Sequence, residues 1–164
     1  MIASRLFATS PLLCAAAAAA QSPTAPAQNT AQDIAWMSAQ QAYVTGLKAS
    51  EGWYTLPGNL RWRYLKYAAS DVKPSVSDTV SVHYEGELID GEVFDSSYAR
   101  GRPATFPLGG LIEAWQLAIP QMGVGDVIEI AAPADLAYGP VGKGPIPGGA
   151  TLIFKVELIA VAGR

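Results

Sequence analysis

The sequence predicts an α+β fold: short antiparallel strands forming one sheet, with a short helix packed against it. Three observations carry this reading. The first is alternation: Val80, Val82 and Tyr84 alternate with Ser81, His83 and Glu85, and Ile128 and Ile130 with Val127 and Glu129. Near the end, Leu152, Phe154, Val156 and Leu158 alternate with Ile153, Lys155 and Glu157. That is the period of a half-buried strand, and a sheet with one wet face favours antiparallel pairing. The second is Asp90-Gly91 between Leu88 and Val93, a strong hairpin signal that joins a Thr79 to Leu88 strand to the strand holding Phe94. The third is the spacing of Ile112, Trp115 and Ile119, which share one helical face before Pro120 ends or distorts the helix.

A chain of 164 residues suits one domain with an extension. Residues 1–20 read as a secretory signal: Arg5, an apolar stretch from Leu6 to Ala20, and small residues for cleavage near Ala18 to Ala20. Thr9, Ser10 and Pro11 interrupt it, and it is short for a spanning helix. The only cysteine, Cys14, lies inside it and leaves open a lipidated, membrane-attached form, although Pro11, Leu12 and Leu13 match a lipobox poorly. Residues 21–32 are Ala, Pro, Gln, Ser and Thr with one Asn, too polar to offset their ordering entropy, and read as a disordered linker.

Residues 33–59 read as a helical segment and connector. Asp33 serves as N-cap, and Ile34, Met37, Gln41, Val44 and Leu47 follow helical spacing through to Glu51, with Gly46 as a weak point. Gly52 to Asn59 carries the Gly and Pro punctuation of a connector. The main domain is read as residues 60–164. Inside it Gly139 to Gly149 holds five glycines and three prolines, a surface loop beside whatever site exists.

Composition excludes several function classes. A net charge of −3 with dispersed Lys and Arg argues against a nucleic-acid partner; Arg61, Arg63 and Lys66, the nearest approach to a cluster, read as a solvated strand face. Cleavage after Ala20 leaves neither disulfide nor thiolate nucleophile, and no membrane-spanning run. The only histidine, His83, has the wrong strand parity to share the face of Tyr84, so a hydrolytic triad is not supported. One His with scattered carboxylates gives no metal set, and Leu108-Gly109-Gly110 lacks the Lys of a phosphate cradle.

What remains is an aromatic pocket with Asp95 beside Phe94. Adjacent strand residues face opposite ways unless the strand bulges or ends, which places Asp95 at a sheet margin where the pocket opens. Each aromatic taken singly, Tyr84, Phe94, Phe106 or Phe154, is as well explained as core filler.

The motifs VHYEG, FDSSYARGRP, FPLGGLIEAW, MGVGD, DLAYG and ATLIFKVEL, in that order over about Arg61 to Ala160, resemble the FKBP-type peptidyl-prolyl cis-trans isomerases. The N-terminal stretch resembles exported bacterial members, including the macrophage infectivity potentiator group. The resemblance implies a curved antiparallel sheet wrapped around a short helix. It also implies catalytic roles for Asp95, Tyr138 and Trp115, pocket walls from Tyr84, Phe94, Leu111, Ile112, Ile146 and Phe154, and Arg100 in support. It further implies proline-containing polypeptide clients, macrolide inhibitors, no cofactor or metal, and a periplasmic location. Ala104 stands where the family has a bulky aromatic, and the Gly139 to Gly149 loop looks slightly short, with PIPGG in place of paired prolines. A non-catalytic peptide binder, a host-interaction role at the cell surface, and a homodimer formed through the N-terminal helix stay open at this point.

Overall fold

The computed structural model describes residues 30–163; the expected signal, Cys14 and most of the expected linker lie outside them. Helix α1 (Thr30–Gly46) is followed by β1 (Tyr54–Leu56), β2 (Leu60–Lys66), β3 (Thr79–Leu88), β4 (Val93–Ser96) and β5 (Ala104–Pro107). Helix α2 (Glu113–Ala118), β6 (Val127–Ala132) and β7 (Leu152–Val161) complete the chain. The seven strands form one antiparallel sheet in the order β1-β2-β6-β7-β3-β4, with β5 also pairing to β3. Strand β3 pairs along its length with β7 on one edge and divides the other between β5 and β4.

The alternation of the sequence is the alternation of burial. Val80, Val82, Ile128, Ile130, Leu152, Val156 and Leu158 are all fully buried on the concave face. Burying a side chain of this size contributes about 1.5–3 kcal/mol, and seven of them on one face is what fixes the register. Trp115 of α2 reaches rings from three separate strands: Tyr84 of β3 at 5.2 Å, Phe106 of β5 at 6.4 Å and Phe154 of β7 at 5.5 Å between centroids. One helical residue can meet all three only because the sheet curves around the helix. Helix α2 gives way to a 3₁₀ turn at Ile119–Gln121, where Pro120 withdraws its N–H.

The convex face departs from the expected wet face. It carries a cross-strand row of alternating charge, Arg63 opposite Glu129, Glu129 opposite Lys155, and Lys155 opposite Glu85, which is the favourable pairing for an antiparallel ladder. Beside that row, Trp53, Ala131 and Ile153 form a second buried cluster against which Tyr43 of α1 and Leu47 just after it pack. Arg63 donates from Nε to Glu129 Oε2 (2.6 Å) and lies 4.6 Å above the Trp53 ring, so it is half-buried and paired instead of lying on a freely solvated face. The chain before β1 folds back over the sheet, which periodicity within one segment cannot report.

That return also corrects the reading of residues 33–59. Helix α1 begins before Asp33, which lies in its first turn, where a carboxylate suits the helix dipole as well as it would suit a cap. It ends at Gly46 instead of reaching Glu51, and a separate 3₁₀ turn follows at Ala49–Glu51. The expected connector contains a strand, β1, three residues long and too short to show a period. Of the expected helical stripe, Val44 is 2% exposed but Ile34 is 62% and Met37 52% exposed; the packed face is set by Trp36, Gln40, Tyr43, Val44 and Leu47.

Candidate active site

A cavity of about 200 Å³ opens between α2 and the concave face, lined by Tyr84, Phe94, Asp95, Phe106, Leu111, Ile112, Trp115, Tyr138 and Phe154. Its walls are edge-to-face ring pairs: besides the three rings around Trp115, Phe94 meets Phe154 at 5.8 Å and 87°. This geometry suits the ring quadrupoles. Trp115 is 4% exposed and forms the floor, and its indole Nε1 is buried without a hydrogen-bond partner among the described residues.

Asp95 reaches this cavity because of a β-bulge. Gly86 pairs with Asp95 while Glu87 pairs with Val93, so Phe94 is the extra residue of β4. The bulge re-aims one side chain, and neighbouring residues Phe94 and Asp95 then share a face that a regular strand would divide between them. Gly86 makes room for it: a Cβ there would fall 2.6 Å from Phe94 Cζ and 2.9 Å from Phe154 Cε1.

Three polar side chains lock together at the rim. Tyr84 OH donates to Asp95 Oδ2, Arg100 donates from Nη1 to Asp95 Oδ1, and Arg100 Nη2 donates to the Tyr84 hydroxyl at 2.9 Å. Burial alone would raise the Asp95 pKa; the hydrogen bonds from Tyr84 and Arg100 and the guanidinium charge outweigh it and hold the carboxyl below its ordinary 3.8. Tyr84 is pushed above its ordinary value by burial and then by Asp95, and Tyr138 by burial and then by the Asp95 charge. At neutral pH the site therefore holds one carboxylate and two phenols. The N–H of Ile112, at the N-cap of α2, makes no hydrogen bond among the described residues, and neither does the Tyr138 hydroxyl.

The structure thus brings together Asp95, Tyr138, Trp115, Tyr84, Phe94, Leu111, Ile112 and Phe154, with Arg100 at the edge. It does not bring in Ile146, which is 7% exposed, belongs to the core cluster and pairs with Lys143 across a loop bridge. Ala104 also stands outside the lining, half-buried in β5; Phe106, two residues on, supplies that side. Phe106 was visible in the sequence only as one aromatic among several. Ser97 was not singled out at all: fully buried, it accepts from Tyr84 N–H (2.7 Å) and fixes the turn that leads from Asp95 to Arg100. His83 Nδ1 lies 3.0 Å from Ser97 Oγ, yet that hydroxyl is enclosed and occupied by the Tyr84 backbone, so the pair is no nucleophile and base.

A curved sheet holding a ring-walled cavity with a carboxylate at its lip defines a class of proteins that enclose and orient a ligand. Residues 70–159 match the sequence model described as FKBP-type peptidyl-prolyl cis-trans isomerase. The chain belongs to that family.

It is 47% identical over 122 residues to the peptidyl-prolyl cis-trans isomerase Mip of Coxiella burnetii, covering 74% of this chain and 53% of that one. A solved structure of a peptidyl-prolyl cis-trans isomerase from Pseudomonas syringae superposes with a TM-score of 0.71 at 33% identity, over 78% of this chain and 94% of that one. FkpA from Escherichia coli superposes with a TM-score of 0.70 at 34% identity, over 80% of this chain and 63% of that one. The chain spans about half the length of the curated bacterial relatives it matches.

Proposed function

We propose that this protein catalyses cis-trans isomerisation of Xaa-Pro bonds in exported proteins and so assists their folding. The observation that carries the reading is Asp95, kept ionised by Tyr84 and Arg100 at the lip of a cavity floored by Trp115.

Rotation about a peptide bond has a barrier of about 18–20 kcal/mol, because it destroys amide resonance, and Xaa-Pro bonds consequently exchange over tens to hundreds of seconds. No covalent bond has to break. The twisted amide has less charge separation than the planar one, so a water-excluded, apolar cavity favours it over the ground state, each 1.36 kcal/mol of that preference being tenfold in rate. In this reading Trp115, Phe94, Phe106 and Phe154 enclose the prolyl ring. The Ile112 N–H and the Tyr138 hydroxyl, both without partners, hold carbonyl oxygens of the substrate, and the Asp95 carboxylate orients the rotating amide. Arg100 and Tyr84 keep Asp95 in place and charged. The same enclosure is the seat of a macrolide inhibitor, with Phe106 on the side where Ala104 stands outside the lining.

The signal-like residues 1–20 support the periplasm, with attachment through Cys14 as the alternative that labelling with palmitate would reveal. Among the described residues no helix is long and apolar enough to cross a membrane. Much of the packing face of α1 is used within the chain, leaving Ile34 and Met37 as what a second copy would touch; light scattering of the full chain tests dimer formation.

The deciding experiment is NMR exchange on a short Xaa-Pro peptide with the protein and its Asp95→Ala and Trp115→Ala variants. Acceleration that drops in the variants supports the isomerase. Binding without acceleration would replace it with a non-catalytic peptide binder.

A further inference from the structure

Tyr138 is held differently from the rest of the cavity. Tyr84 is fixed by Asp95, Arg100 and Trp115, whereas Tyr138, half-buried against the core, makes no ring-to-ring contact among the described residues; the Lys143 ammonium lies 5.4 Å from its ring centroid. Its hydroxyl has no hydrogen-bond partner among the described residues, so its placement rests on this packing and on the backbone, which enters the 139–149 loop directly after it.

That loop is closed on itself. Tyr138 O accepts from Gly142 N–H (3.2 Å), Lys143 and Ile146 exchange two backbone hydrogen bonds of 3.0 Å, and Gly149 N–H donates to Gly139 O (2.8 Å), drawing the neck together. Two residues beyond the neck, Thr151 is clamped by α1. Gln40 Oε1 accepts from Thr151 N–H (2.9 Å), and Gln40 O accepts from Thr151 Oγ1 (3.1 Å). Gln40 is 7% and Thr151 3% exposed, so water does not replace either bond. Gly149, at φ +77, lies directly under the helix, where a Cβ would fall 2.7 Å from Met37 Sδ. A buried polar side chain costs stability unless it is satisfied; here the Gln40 side-chain oxygen and the Gln40 backbone carbonyl each accept from Thr151, two residues beyond the loop that follows Tyr138.

We infer that Gln40 is a positioning residue for the cavity: by clamping Thr151 it fixes the neck of the 139–149 loop and, through it, the Tyr138 hydroxyl. Helix α1 is then part of the scaffold of the site and not an appendage to it. The inference rests on the isomerase reading above, so its test separates binding from catalysis.

Using the full chain, the dissociation constant and the catalysed exchange rate of an Xaa-Pro peptide are measured by NMR for Gln40→Leu and Thr151→Val, each with Tyr138 and with Tyr138→Phe. Amide hydrogen exchange at Gly149 and Thr151 is followed in parallel. Gln40→Leu is expected to speed exchange at both amides and to weaken peptide binding about threefold to tenfold, the value of one hydrogen bond losing its alignment. Exchange of the bound peptide should change by less than about twofold, since uniform binding is what is lost. The binding effect should vanish in the Tyr138→Phe background, because a double-mutant cycle isolates the coupling between the two residues. Thr151→Val keeps the N–H bond and should act in the same direction but less, and it decides the matter if Gln40→Leu fails to fold. Unchanged affinity despite faster amide exchange, or equal weakening in both backgrounds, would overturn the inference. A wild-type protein that binds the peptide without accelerating its exchange would sink the isomerase reading while the affinity cycle still judged Gln40.

Discussion

On its concave face the sheet meets α2 and a nest of rings in which the only charges sit at the rim; on its convex face it carries Arg63, Glu129, Lys155 and Glu85 in a row, bordered by Trp53 and the end of α1. Both faces contain carboxylates near cations, yet they serve different ends. Glu129 and Glu85 sit at regular ladder positions, where alternating charge holds register and solvent screens the gain. Asp95 stands off the ladder, swung by the Phe94 bulge to the lip of the cavity, where the proposed function needs a charge. The difference lies in the local backbone, not in residue type: one inserted residue turns a structural carboxylate position into a site.

If that division is right, changes on the concave face alter the rate and changes on the convex face alter only stability. The largest effect is expected from Trp115→Ala, which removes the floor of the cavity; denaturant unfolding should show a loss of about 3–5 kcal/mol, and isomerisation should disappear with it. A variant that is destabilised but keeps its rate would detach the function from this face.

Next comes Asp95→Ala. Loss of a charge-assisted contact predicts a fall in kcat/KM of about tenfold to a hundredfold, with little change in the unfolding midpoint, because the Asp95 and Arg100 side chains are 41% and 43% exposed. The pH dependence follows from the sign. The folded pKa is depressed, so what the carboxylate contributes is present above its ordinary 3.8 and lost as pH falls through the lower folded value. The pH–rate profile of the wild type should stay level down to about that point; an inflection centred above it would break the assignment.

A smaller effect is expected from Ala104→Phe, which restores an aromatic beside Phe106 and should tighten a macrolide ligand by about twofold to fivefold, an added edge contact being worth under about 1 kcal/mol. An unchanged dissociation constant would mean that Phe106 already fills that side.

The smallest concerns Glu87 on the convex face. Burial, and then the Glu85 and Glu129 charges, raise its pKa. A raised carboxylate pKa favours the folded protein at low pH, and that contribution is lost as pH rises through the folded value. Glu87→Gln should therefore stabilise the protein slightly, by less than about 0.5 kcal/mol, in urea at pH 7. The gain should fade below the ordinary 4.5, and the rate should not change. A change in rate would show that the two faces are coupled.

Much of the fold was legible because it rests on short-range rules. The β3–β4 hairpin follows from Asp90-Gly91, with Gly91 at φ 89 where glycine has no penalty, and three strands follow from alternation that burial enforces. For the site, the sequence motifs brought Asp95, Trp115, Tyr138 and the ring walls into view. They left open whether the strand bulges or ends at Phe94, and did not show the choice of Phe106 over Ile146 as a wall, because both depend on how β3, β4 and the 139–149 loop pack against one another. The rings that line the cavity and the rings that only fill the core are chemically alike, and no spacing rule separates them.

By itself, then, the sequence determined the strands with one apolar face, the hairpin, the short helix ended near Pro120, and the family. Those are properties of residue order and type. The tertiary structure decided which way Asp95 points, that Arg63 is half-buried beside Trp53, and that α1 returns to clamp Thr151 through Gln40, 111 positions away. Contacts of that separation depend on how distant elements pack, and local propensity carries no record of them.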